Sequence, residues 1–140
     1  MLNKEEIEFR IKNTAKEKLG NLDELLPVYR ENNDCIPYIT IEGDYYVLQT
    51  KCLDIMYYLD RENYPEMTYE YHLYCKTKEI DELLYIIFKN IIITISNRTR
   101  DGRCSNDSEE FKNKRQLFLM SSLNNEWEKR LEIENKNEQI

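Results

Sequence analysis

Glycine and proline are scarce in this chain, at three residues each. That excludes a collagen-like repeat and a glycine-rich linker. It also leaves no G-x-G-x-x-G and no Walker-type loop, so the common backbone cradles for nucleotide phosphates are missing. There is one histidine, His72, which gives His-dependent triads and His-rich metal sites little to start from. Cysteines Cys35, Cys52, Cys75 and Cys104 never approach the C-x₂₋₄-C spacing of a zinc site. They are also too sparse for a secreted disulfide scaffold, so we read them as reduced thiols in a cytoplasmic protein. Long apolar runs are lacking as well. Leu83 to Ile95 is the most apolar stretch, shorter than the roughly 20 residues that span a bilayer, and Lys89 and Asn90 interrupt it. The opening Met1 to Glu6 mixes charged and apolar residues without an h-region, so no secretory signal is expected.

What is present suits one α+β domain over residues 1–140, with 41% apolar and 34% charged residues. The net charge is −7, which argues against general nucleic-acid affinity and suits a basic partner. That charge is uneven: residues 42–82 carry 4 basic and 10 acidic groups, while residues 83–140 carry 10 and 9. Residues 42–85 also hold nine of the eleven tyrosines. Tyrosine offers contact area and a hydroxyl at low rotamer cost, so it serves recognition surfaces; it also suits half-wet strand positions.

Periodicity divides the chain into helix, sheet and helix. Ile7, Ile11, Ala15 and Leu19 recur every four residues, predicting a first helix over Lys4 to Leu19 with Gly20 just past its end. Leu22 to Tyr29 reads as a short connection with one helical turn stopped before Pro27. Ile36 to Ile41 and Tyr45 to Lys51 flank Glu42-Gly43-Asp44, a three-residue hairpin signal. Leu53 to Leu59 alternates with a period of two. So does Met67 to Cys75, with Tyr69, Tyr71, Leu73 and Cys75 on the apolar side and Glu70, His72 and Tyr74 on the polar side. We expect about four antiparallel strands. Three C-terminal helices should then pack on one sheet face. The first, around Leu83 to Ile95, is apolar nearly all round, although the Ile91-Ile92-Ile93 run would also suit a strand. Asp107 with Glu110, and Asn125 with Glu128, have the pattern of N-caps with capping boxes. The polar tail from about Glu132 is expected to fray.

Little of this is arranged for catalysis. Glu70 and His72 could form a carboxylate–base pair on the polar strand face, the basis of an alternative reading as a small intracellular hydrolase or nuclease. Asp54, Asp60 and Glu70 could share a hard cation only if tightly clustered. Cys52 and Cys75 suit small core residues better than thiolate nucleophiles. Arg98, Arg100, Arg103, Lys112, Lys114 and Arg115 are interleaved with Asp101, Asp107, Glu109 and Glu110, so they make no uncompensated basic stripe. An acidic, tyrosine-rich sheet face is better suited to binding. Its candidate contacts are Asp54, Tyr58, Asp60, Glu70, His72 and Tyr74, with no catalytic, metal or cofactor site.

Three blocks point further: Asp81 to Phe88, Gln116 to Met120, and Leu123-Asn124-Asn125-Glu126-Trp127. In order and spacing they resemble the immunity protein 63 family of bacterial polymorphic toxin systems. Where that family has an Asp followed by two arginines, this chain has Asp107 followed by Ser108, Glu109 and Glu110. The resemblance implies a small cytosolic α+β protein, encoded beside a toxin gene, that protects the producer in bacterial competition by binding the toxin. A non-enzymatic toxin inhibitor without cofactor is therefore the expectation, covering a basic active-site cleft such as that of a nuclease.

Overall fold

The computed structural model describes residues 1–15, 19, 25–53, 68–97 and 108–138. These residues form an α+β protein with a three-stranded antiparallel sheet in the order β1-β2-β3 and four helices. Helix α1 is Lys4–Ala15, followed by strands β1 (Tyr38–Glu42), β2 (Tyr45–Leu53) and β3 (Tyr69–Thr77). Helices α2 (Ile80–Ser96), α3 (Glu109–Leu123) and α4 (Asn125–Glu138) complete the chain. The expected strand over Leu53 to Leu59 falls mostly on residues outside those described; Leu53 itself ends β2. Residues 16–18 and 20, where the first helix was expected to finish, lie outside them too. No helix among the described residues is long and apolar enough to cross a membrane. The chain gathers into two compact units, Met1–Lys4 with Leu26–Leu83 and Glu5–Leu25 with Leu84–Ile140.

In the sheet unit, Glu42 pairs with Tyr45, so the hairpin loop is the two residues Gly43-Asp44 rather than three. Gly43 takes φ +59°, the left-handed geometry that opens a type II′ turn and costs glycine nothing in Cβ strain. Tyr46, Val47 and Leu48 are consecutive and all buried. Successive strand residues point to opposite faces, so both faces of central β2 are covered there. The N-terminal residues join this unit: the Leu2 amide donates to the Tyr46 hydroxyl at 2.7 Å.

Beyond Tyr38 the chain stays beside β2. Cys35 N donates to Lys51 O at 3.1 Å, and Cys35 and Cys52 form a disulfide with Cα atoms 4.5 Å apart. This corrects the expectation of reduced thiols throughout. Spacing along the chain carried no hint of it, because antiparallel pairing brings together residues 17 apart.

The helical unit has a core of Tyr85, Ile92, Met120 and Leu131, flanked by Leu19, Ile86, Leu117, Leu119, Leu123 and Trp127. The isoleucine run is helical, and Ile91 and Ile92 are both buried. At the end of α2 the Ser96 hydroxyl donates to Ile92 O, and Arg115 donates to Ser96 O at 3.0 Å. That satisfies a carbonyl the last turn would otherwise leave open. Arg115 is thus a helix-capping side chain.

Both expected N-caps sit one residue away from their predicted positions. Ser108, not Asp107, caps α3, its Oγ accepting from Phe111 N at 3.2 Å. Asn124, not Asn125, caps α4, its Oδ1 accepting from Glu126 N and Trp127 N. The Asn124 amide also donates to Met120 O, so one extended residue ends α3 and starts α4. The polar tail is ordered: α4 continues to Glu138, with Glu134 tied to Tyr85 and Lys89 and with i,i+4 ion pairs along its surface.

Candidate interaction surface

Strand β3 is exposed along most of its length, with only Cys75 buried. A register shift decides which of its residues share a face. Leu48 pairs with Cys75 but Gln49 pairs with Leu73, leaving Tyr74 as the extra residue of a bulge. The bulge reverses the alternation that the sequence suggests. Residues paired across strands share a face, so Tyr69, Tyr71 and Leu73 lie with Leu53, Lys51 and Gln49. Glu70, His72 and Cys75 lie on the opposite face with Cys52, Thr50 and Leu48. Tyr69, Tyr71 and Leu73 therefore do not share the face of Cys75, as strict alternation requires. Tyr71 is 60% exposed and Leu73 56%. A bulge needs no signature residue, and nothing in the composition around Tyr74 announces this one.

The Tyr69–Tyr71 face is built around Lys51. Its Nζ stands 4.7 Å from the Tyr69 ring centroid and 5.7 Å from that of Tyr71, and it pairs with Glu31 at 3.6 Å. Burial opposes the Lys51 charge, but hydrogen bonding with Tyr71 and Glu31 holds the ammonium above its ordinary range. Burial, and next the Glu31 carboxylate, push the neighbouring Tyr38 hydroxyl up. Glu31 reaches this position from the segment between Val28 and Pro37. There Asn32 Oδ1 accepts from Asp34 N and Ile36 N, and Asn32 Nδ2 donates to Ile36 O. Towards the hairpin, Lys76 and Lys78 lie over the Tyr45 ring, and Lys76 pairs with Glu42 at 3.3 Å. Lys51 and Lys76 each have a carboxylate beside them, and the exposed residues include Glu31, Glu42 and Lys78 as well as Tyr71 and Leu73.

The structure places Glu70, His72 and Tyr74 on exposed β3, with the His72 and Tyr74 rings edge to face at 4.4 Å. Among the described residues no hydrogen bond or ion pair joins Glu70 to His72. Asp54, Tyr58 and Asp60 lie outside the described residues. So do Arg98, Arg100 and Arg103. Among the described residues no three His, Cys, Asp or Glu side chains come together as a metal would require. The sequence pattern missed Tyr71 and Leu73, which it assigned to the core, as well as Lys51 and Glu31. A tyrosine beside a lysine on a paired strand is the available signal, but it becomes readable only once the register is known.

No protein-family model, no curated protein and no solved structure matches this chain.

Proposed function

We propose that this chain is a non-enzymatic immunity protein that binds and neutralises a cognate bacterial toxin through its exposed β3 strand. The observation that carries this reading is a strand in a markedly acidic segment with large side chains uncovered along it, Tyr71 and Leu73 on one face and Tyr74 beside His72. Large apolar side chains left uncovered along a strand suit a contact surface. Aromatic anchors supply contact area that persists after docking, and surrounding negative charge steers a basic partner. Glu70, His72 and Tyr74, with Asp54, Tyr58 and Asp60, are the proposed contacts, joined by Tyr71 and Leu73. The block resemblance of Asp81–Phe88, Gln116–Met120 and Leu123–Trp127 to the immunity protein 63 family gives the partner its class. Cytoplasmic residence belongs to this proposal through that resemblance and no longer through the cysteines.

Co-expression with the product of the neighbouring gene tests it. Rescue of growth and co-purification of the two proteins are expected. Failure to bind that product, with hydrolytic activity that disappears in His72→Ala, would replace this reading with the enzymatic one.

A further inference from the structure

We propose that the Cys35–Cys52 disulfide is a redox device that sets the charge of the Tyr69–Tyr71 face by holding Glu31 against Lys51. The device regulates the binding surface proposed above and in that respect rests on it. Its structural half stands on geometry alone. The segment between Val28 and Pro37 has its own turn, organised by Asn32, and meets β2 at one place: the antiparallel Asp34–Cys52 bridge with its Cys35 N to Lys51 O bond, the Glu31–Lys51 ion pair and the disulfide. The ion pair is weak by itself, since the Glu31 side chain is 56% exposed. Cys35 holds φ +63°, a left-handed conformation that a residue with a Cβ rarely adopts unless its surroundings impose it. The Asn32 turn brackets Cys35 on both sides, and the covalent link adds a tie from that residue to Cys52 on β2.

The bond is also reachable. Cys35 is exposed and Cys52 half-buried, so the Cys35 side is the more open approach for an incoming thiolate. Attack there breaks the Cys35–Cys52 bond, and its electron pair leaves on Cys52 Sγ, which takes up a proton. A second thiol group of the reductant then attacks the mixed disulfide and releases Cys35. The sum is one protein disulfide and two thiols giving two protein thiols and one disulfide of the reductant, a small thiol of the glutathione or dithiothreitol class. Without the link Cys35 relaxes from its left-handed conformation and the segment parts from β2. Glu31 leaves with it, while Lys51 stays between Tyr69 and Tyr71 as an uncompensated cation. The reduced face attracts a basic partner less strongly than the oxidised face does. In a reducing cytosol the resting protein carries the weaker face, and oxidation tightens it.

Amide hydrogen exchange of the whole chain, oxidised and after dithiothreitol, tests the device with no partner present. Reduction should speed exchange at Cys35, whose amide bonds to Lys51 O, by about tenfold or more, while the amides of β2 paired to β1 keep their protection. Unchanged exchange at Cys35 would overturn the proposal. So would a pair that glutathione-range thiol leaves oxidised when read by mass spectrometry. Cys35→Ser should reproduce the reduced pattern; if that variant fails to fold, reversible reduction of the native chain decides alone. Polylysine is the charge probe: the oxidised protein should bind it with a lower Kd than the reduced one at low salt, and equal affinities would overturn the charge half. Loss of toxin binding with the exchange result intact would instead count against the immunity reading alone.

Discussion

The Tyr85 hydroxyl donates a 2.6 Å hydrogen bond to Glu134 Oε1, joining α2 to the last turns of α4. Lys89 donates to the other oxygen at 2.8 Å, and the Arg130 guanidinium lies over the Tyr85 ring at 3.9 Å. Tyr85 is fully buried, so its hydroxyl has little recourse to water when Glu134 is removed. Glu134→Ala should therefore cost about 1–3 kcal/mol, the penalty of an unmade buried hydrogen bond. Glu134→Gln keeps an acceptor for Tyr85 and should cost less. Denaturant titration of the two variants checks the order.

The same carboxylate gives a pH dependence. Burial raises its pKa, but the Lys89 and Tyr85 hydrogen bonds and the Lys89 and Arg130 charges outweigh burial and leave it below the ordinary 4.5. A lowered folded-state pKa means the contribution is fully present above the unfolded value and lost as pH falls through the folded one. The stability gap between the native chain and Glu134→Gln should be constant near neutrality. It should shrink on acidification below about pH 4.5. A gap that grows on acidification would contradict this assignment.

Phe88 is fully buried and stacks on Trp127 with centroids 6.0 Å apart, and Ile91 is 3% exposed. Either residue changed to Ala should cost about 2–5 kcal/mol, as core truncations do. A loss below about 0.5 kcal/mol is the mark of a surface site and would contradict the burial.

These helical positions were legible in the sequence because a helix reports its buried stripe within a few turns. Ile7, Ile11, Phe88 and Ile91 announce themselves by spacing alone. What spacing could not give were features that depend on a partner strand. The Tyr74 bulge is a mismatch between β2 and β3, so it exists in neither strand by itself. The Cys35–Cys52 bond similarly requires Cys35 to lie beside β2, which only the pairing of the two segments brings about. The caps were missed differently. Asp107 and Asn125 are good caps by type, but Ser108 and Asn124 are equally good and adjacent, and propensity cannot choose between neighbours of equal quality. Glu70, His72 and Tyr74 were placed correctly as exposed; the reversal at the bulge hid Tyr71 and Leu73 beside them.

The cap assignments predict a contrast. Ser108→Ala and Asn124→Ala should each cost about 1 kcal/mol. Asn124→Ala should be the worse of the two, because that side chain serves two amides, Glu126 N and Trp127 N. Asn125→Ala should be near neutral. Thermal unfolding of the three variants measures it, and an Asn125 effect exceeding that of Asn124 would restore the cap predicted from sequence.

Partner binding should separate anchoring from steering. Tyr71 and Leu73 are more than half exposed, so Tyr71→Ala and Leu73→Ser should leave thermal stability nearly unchanged. If the strand docks a toxin, both should raise the dissociation rate, since each removes area that becomes buried only in the complex. Tyr74→Ala should act the same way, and more strongly, because it also removes the edge-to-face support of His72. Glu70→Lys, alone or with Asp54→Lys or Asp60→Lys, should instead slow association, most clearly at low salt. The rival surface is α3, where Phe111 and Phe118 are 51% and 73% exposed and lie two turns apart on one side of the helix. There Lys114 pairs with Glu110, so steering by that side should be weak. Stopped-flow association with surface-plasmon dissociation distinguishes the two faces. Rates that ignore Tyr71, Tyr74 and Glu70 but respond to Phe118→Ala would move the contact to α3, leaving the immunity reading in place with a different binding surface.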